Sequence, residues 1–80
     1  MFRPKNENIQ ALVDRANHAL DKRGGEFRIK AAGGSNHNVV IYKIRPNDPE
    51  REIKELKYGS KTVVYNFLFD LLEGIYLVRE

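Results

Sequence analysis

Apolar residues recur at helical spacing near the start of the chain. Ile9, Leu12, Val13, Ala16 and Leu20 fall on one face of a helix predicted over about Glu7 to Arg23. Asn6 or Asn8 suits its first turn, because a short polar side chain satisfies a backbone N–H left without a partner there. Lys22 and Arg23 sit in the last turn, where cations meet the negative end of the helix dipole, and Gly24-Gly25 stops the helix. The period then drops to two. In Phe27-Arg28-Ile29-Lys30-Ala31, apolar and charged residues alternate, which predicts a half-buried strand. Gly33-Gly34-Ser35-Asn36-His37-Asn38 has turn chemistry. Val39 to Arg45 is β-branched and aromatic, a second strand. Val40, Tyr42 and Ile44 share one of its faces; Val39, Ile41, Lys43 and Arg45 share the other, which we assign to solvent. The run Arg45-Pro46-Asn47-Asp48-Pro49 ends this strand, since proline has no N–H for the ladder.

Residues 50–58 fit two patterns. Asp48-Pro49-Glu50 resembles a helix start, and Ile53 with Leu56 has helical spacing. Leu56 and Tyr58 instead fit a strand facing inward. The strand is favoured, because a two-stranded hairpin is marginal alone and a third strand completes a sheet. Gly59-Ser60 opens a long final helix with Ser60 as its N-cap. Val64, Leu68, Leu71, Ile75 and Val78 form one apolar stripe along it, and Tyr65, Phe69, Leu72 and Tyr76 a second beside it. Thr62, Asn66, Asp70 and Glu73 mark its polar side. The element order is α-β-β-β-α, an α+β fold with a three-stranded antiparallel sheet and two helices packed on one face.

Eighty residues make one domain, spanning 1–80, with no room for a second core or a deep cleft. Cysteine is absent, which removes disulfides, thiolate zinc sites and cysteine nucleophiles. No apolar run approaches the ~18 residues of a membrane span, and the start lacks the apolar run of a leader. A cytoplasmic protein that does not engage membranes is expected.

Catalytic chemistry is thin. The histidines are His18, on the polar side of the first helix, and His37, in the loop. They make no recognisable metal set. Ser35 stands near His37, but no carboxylate is placed to orient the imidazole. Glu50, Glu52 and Glu55 alternate with Arg51, Lys54 and Lys57, the pattern of a solvated, ion-paired face. Gly33-Gly34-Ser35 is followed by a strand rather than by the lysine and helix that a phosphate loop requires. No enzyme, cofactor or metal is expected.

Charge distribution is more informative. The whole chain carries +3, yet residues 22–46 hold six cations against the single acid Glu26. Arg28 and Lys30 share one parity of the first strand, and Lys43 and Arg45 the outward parity of the second. On an uncovered sheet face these four, with Val39 and Ile41 among them, form a basic array that attracts nucleic acid or an acidic protein surface. The alternative is that they only solubilise that face. Ser35, Asn36, His37 and Asn38 offer adaptable polar contacts at the loop. Tyr65, Phe69, Leu72 and Tyr76 are candidates for an apolar interface if the first helix does not cover them.

Two resemblances add to this. Tyr58-Gly59-Ser60-Lys61-Thr62-Val63-Val64-Tyr65-Asn66-Phe67-Leu68, continuing to Leu72-Glu73-Gly74-Ile75, resembles the last helix of small α-β-β-β-α proteins encoded by phages and prophages of Gram-positive bacteria. That family includes anti-CRISPR inhibitors, so the resemblance implies a stoichiometric inhibitor of a host protein or protein–nucleic-acid complex. The element order is also similar to double-stranded RNA-binding domains, which use the first helix, the loop between the first two strands and a lysine cluster opening the last helix. Gly33 to Asn38 with His37 resembles that loop; only Lys61 stands where the lysine cluster would be. This resemblance implies direct binding of RNA or DNA. A third expectation is a homodimer in which the C-terminal helices pair.

Overall fold

Our computed structural model describes residues 3–78, without the side chains of Ser35, Tyr76, Leu77 and Val78. The order is α1 (Asn6–Lys22), β1 (Arg28–Gly33), β2 (Val39–Arg45), β3 (Asp48–Gly59) and α2 (Lys61–Val78). The strands form one antiparallel sheet in the order β1-β2-β3. Residues 50–58 are therefore strand, as the need for a third partner predicts. Both helices pack on one face of the sheet, α1 over β1 and α2 over β2 and β3.

Local chemistry sets the helix ends. The Asn8 side chain accepts a hydrogen bond from the Lys5 backbone N–H at 2.8 Å, closing the first turn of α1. At its other end Gly24 and Gly25 take φ of +118° and +65°, where a side chain would be strained. That geometry lets the Gly25 and Gly24 N–H groups reach back to the carbonyls of Leu20 and Asp21. Ser60 caps α2 by accepting from the Val63 N–H at 3.3 Å.

Between helices and sheet lies a core of Ile9, Leu12, Val13 and Ala16 from α1, Ile29 from β1, Val39 and Ile41 from β2, and Val64, Leu68 and Leu72 from α2. Two assignments change here. Val39 and Ile41 face the helices, not solvent. Leu72 is core, 5% exposed, and so drops out of the apolar interface set. The three buried α2 residues recur every four positions, so the buried line cuts obliquely across both stripes drawn from the sequence.

Asn17 fastens the outer edge of β1. Its Oδ1 accepts from the Ile29 N–H at 2.8 Å and its Nδ2 donates to the Ile29 carbonyl at 2.9 Å. The side-chain amide thereby takes the place of a fourth strand at that residue. It satisfies both polar groups of an edge that would otherwise invite pairing with another chain.

Candidate functional site

Hairpin register decides where the basic side chains go. Gly33 pairs with Val39, so Lys30 pairs with Tyr42 and Arg28 with Ile44. Paired residues point to the same side of a sheet. Arg28 and Lys30 consequently lie with Tyr42 and Ile44 on the open face. Lys43 and Arg45 share the parity of Val39 and Ile41 on the other. The expected four-cation array is not assembled; gathering it would require the register to slip by one residue.

The two cations on the open face have acidic partners. The Arg28 guanidinium makes two hydrogen bonds to the Asp21 carboxylate, at 3.0 and 2.9 Å. Lys30 Nζ lies 2.7 Å from Glu52 Oε2, across β2. That hydrogen bond holds the Glu52 carboxyl below its usual range. Lys43 turns instead to an aromatic ring, its Nζ 4.4 Å from the centroid of Phe27. With Glu26, Phe27, Arg45 and Ile53 it borders a shallow hollow of about 390 Å³. Between the rows of charge the open face is apolar: Val40 and Ile44 are each 5% exposed and Tyr58 is 43% exposed.

The second candidate set divides as well. Tyr65 is half-buried against the core, and its ring centroid lies 5.9 Å from that of Phe69. Phe69 is 46% exposed. The side chain of Tyr76 lies outside the described residues.

A different end of the molecule gathers polar and basic groups that the sequence leaves far apart. Both helices begin at the end of the sheet where the β1–β2 loop turns. Asn6 and Gln10 of α1, His37 and Asn38 of the loop and Lys61 of α2 line one hollow of about 280 Å³. A second hollow of about 490 Å³ shares His37, Asn38 and Lys61 with it and adds Arg3, Asn36, Ser60 and Thr62. Pro4 is buried, which seats Arg3 at this rim. Loop geometry aims the polar groups: Asn36 and His37 adopt the left-handed conformation at φ of 55° and 64°, and the Gly34 N–H closes the loop on the Asn38 carbonyl at 2.7 Å. Asparagine and histidine take that conformation more readily than most residues. Gly34 packs closely here as well: a Cβ there would stand 3.0 Å from the Tyr58 ring, which would have to shift to admit it. The loop residues Asn36, His37 and Asn38 thus sit in one groove; the side chain of Ser35 lies outside the described residues.

Every charged residue bordering this groove is basic or a histidine. Arg3 and Lys61 have no ion-pair partner among the described residues. Free N–H groups at the start of both helices add positive potential to the same end. Arg3 was not singled out by sequence reasoning. The available signal was Lys61 directly behind the Gly59-Ser60 cap, which places a cation in the first turn of a helix, where the dipole disfavours it unless an anion is near.

Among the described residues no group of three or more His, Asp or Glu is placed to hold a metal ion, and no helix is long and apolar enough to cross a membrane. Comparison with family models, curated proteins and solved structures finds no match.

Proposed function

We propose that the protein is a small, non-catalytic binding module that grips the phosphate backbone of a nucleic acid with the end of the fold where both helices begin. One observation carries this reading. Three segments distant in sequence, residues 3–4, 36–38 and 60–62, bring Arg3, His37 and Lys61 to a single groove without a bordering carboxylate. Cations without acidic partners, side-chain amides and free helix N–H groups are the donors that phosphate oxygens accept from. The same three regions serve in double-stranded RNA-binding domains, so duplex RNA is the favoured form of the partner. This replaces the sheet face as the nucleic-acid surface, since Arg28 and Lys30 are already committed to acids.

The phage-type resemblance adds a cellular role to the proposal. A stoichiometric inhibitor with this groove covers the RNA or DNA of a host complex in the host cytoplasm. With a net charge of +3 it cannot act as an acidic mimic of DNA.

The test is a fluorescence-anisotropy titration with labelled duplex RNA of at least ~16 base pairs, the span one such domain covers. DNA duplex and single-stranded RNA serve as comparison ligands. Binding at low salt is expected, with log K falling against log salt at a slope near −2, for about two phosphates neutralised by Arg3 and Lys61. Absence of binding to all three ligands at low salt rejects the proposal.

A further inference from the structure

We propose that His37 links the groove to pH. Its imidazole takes up a proton as phosphate arrives and becomes a third cation for the nucleic acid, so the groove holds its partner more tightly as pH falls. The inference rests on the nucleic-acid reading of this groove and adds a condition to it. Arginine and lysine stay charged at every physiological pH, whereas histidine changes charge between about pH 5 and 8. Phosphate affinity here therefore has a fixed part, from Arg3 and Lys61, and a part that His37 switches.

Position and conformation fit His37 to that role. It borders both hollows together with Asn38 and Lys61, and the larger hollow brings in Arg3 as well. Its backbone is left-handed at φ of 64°, inside a turn that the Gly34–Asn38 hydrogen bond closes, so the imidazole stands on a defined loop. The residue is exposed, and its ring makes no ion pair among the described residues. A phosphate oxygen can reach it without displacing a partner.

The charged groups around it are of one sign. Arg3 comes from the segment before α1 and Lys61 from the first turn of α2. α1 supplies the uncharged Asn6, Ile9 and Gln10, and β1 and β2 supply only uncharged residues. From β3 comes Tyr58, whose hydroxyl accepts from the Asn38 side chain at 3.2 Å. Lys5 and Glu7, at the start of α1, border neither hollow. A proton on His37 in the empty groove thus meets two like charges and no bordering carboxylate. A bound phosphate reverses that balance, because an opposite charge favours the protonated ring. Proton and phosphate consequently favour each other, and linkage makes the effect reciprocal.

Anisotropy titrations with labelled duplex RNA at fixed salt, from pH 5.5 to pH 8, read the coupling. The duplex carries 5′-hydroxyl ends, because a terminal phosphate would itself titrate at about pH 6. Affinity is expected to rise about tenfold from pH 8 to pH 5.5. The salt slope should steepen by about 1 over the same range, as a third phosphate contact forms. His37→Asn keeps a residue suited to the left-handed conformation. It should bind within about twofold of the wild type at pH 8 and lose both changes. His18→Gln, at an exposed position on α1 that borders neither hollow, should keep both. Circular dichroism confirms that each variant is folded. Should His37→Asn fail to fold, imidazole NMR of the wild type at about pH 7 decides: adding duplex RNA should protonate His37 and leave His18 unchanged. RNA bound equally across the pH range, a pH response that survives in His37→Asn, or a His37 ring indifferent to RNA overturns this inference and leaves the nucleic-acid reading standing. Absence of RNA binding at both ends of the range overturns the two together.

Discussion

Arg28 and Lys30 on the open sheet face, and Arg3 and Lys61 at the helix starts, are equal in formal charge and opposite in availability. The first pair lies in the densest run of positive charge along the chain. Yet Arg28 is held by Asp21 from α1 and Lys30 by Glu52 from β3, both supplied by other elements. The second pair is separated by 57 intervening residues (4 to 60), neither member in a conspicuous basic cluster. The fold brings both to one groove that no carboxylate borders. Positive charge counted along a chain is therefore a poor measure of positive charge offered to a partner. What matters is which acids the fold delivers to each cation, because an ion pair already made has little left for a phosphate.

Reversing charge in the groove tests this contrast most directly. The double variant Arg3→Glu/Lys61→Glu is expected to lower duplex-RNA affinity by about a hundredfold, near 2.7 kcal/mol, in the anisotropy titration. Lys30→Gln should change that affinity less than about twofold, since its charge is already compensated. Equal losses in the two variants would erase the distinction between the sites.

The scaffold of the paired set can be loosened next. Asn17→Ala leaves the Ile29 N–H and carbonyl without their side-chain partner and should destabilise the protein by about 2 kcal/mol in urea unfolding. His18→Ala, its exposed neighbour, should stay within about 0.5 kcal/mol. A smaller effect sharpens the groove assignment: Lys61→Gln should reduce the salt slope of binding by about 1, and Lys30→Gln should leave it unchanged.

The smallest effect concerns acid. Because Lys30 lowers the folded-state pKa of Glu52, the contribution of this pair is fully present above the ordinary carboxylate range and is lost as pH falls through the lowered value. The pair is exposed, so global stability should barely register it. Carboxyl-carbon NMR should nevertheless show Glu52 titrating below its usual range, and Lys30→Met should return it there. An unmoved Glu52 in that variant would assign the shift to another cause.

Several elements were legible because their chemistry is local. The stripe from Ile9 to Leu20, the Gly24-Gly25 stop and the Ser60 cap depend on residues within a turn or two of one another. The third strand was also readable, since two strands alone bury too little. Strand phase was not. β2 is apolar on both parities, with Val39 and Ile41 on one and Val40, Tyr42 and Ile44 on the other. Its pattern therefore does not say which face meets the helices, and the first choice was inverted. Tyr58 was misplaced for a related reason. Register shifts in β3 disturb strict alternation, so Leu56 packs against the core while Tyr58 lies across from Val40 on the open face. Asn17 reads as an ordinary polar residue bordering the α1 stripe until the edge of β1 is brought beside it.

The amino-acid pattern alone determined the number, type and order of the elements, because periodicity, caps and turn residues act over a few positions. The tertiary structure decided the register of the β1–β2 hairpin and with it the face on which each cation stands. It also decided which cations met acids and which reached the groove with none. Those outcomes depend on pairings between segments tens of residues apart, where a shift of one residue exchanges the two faces of a strand.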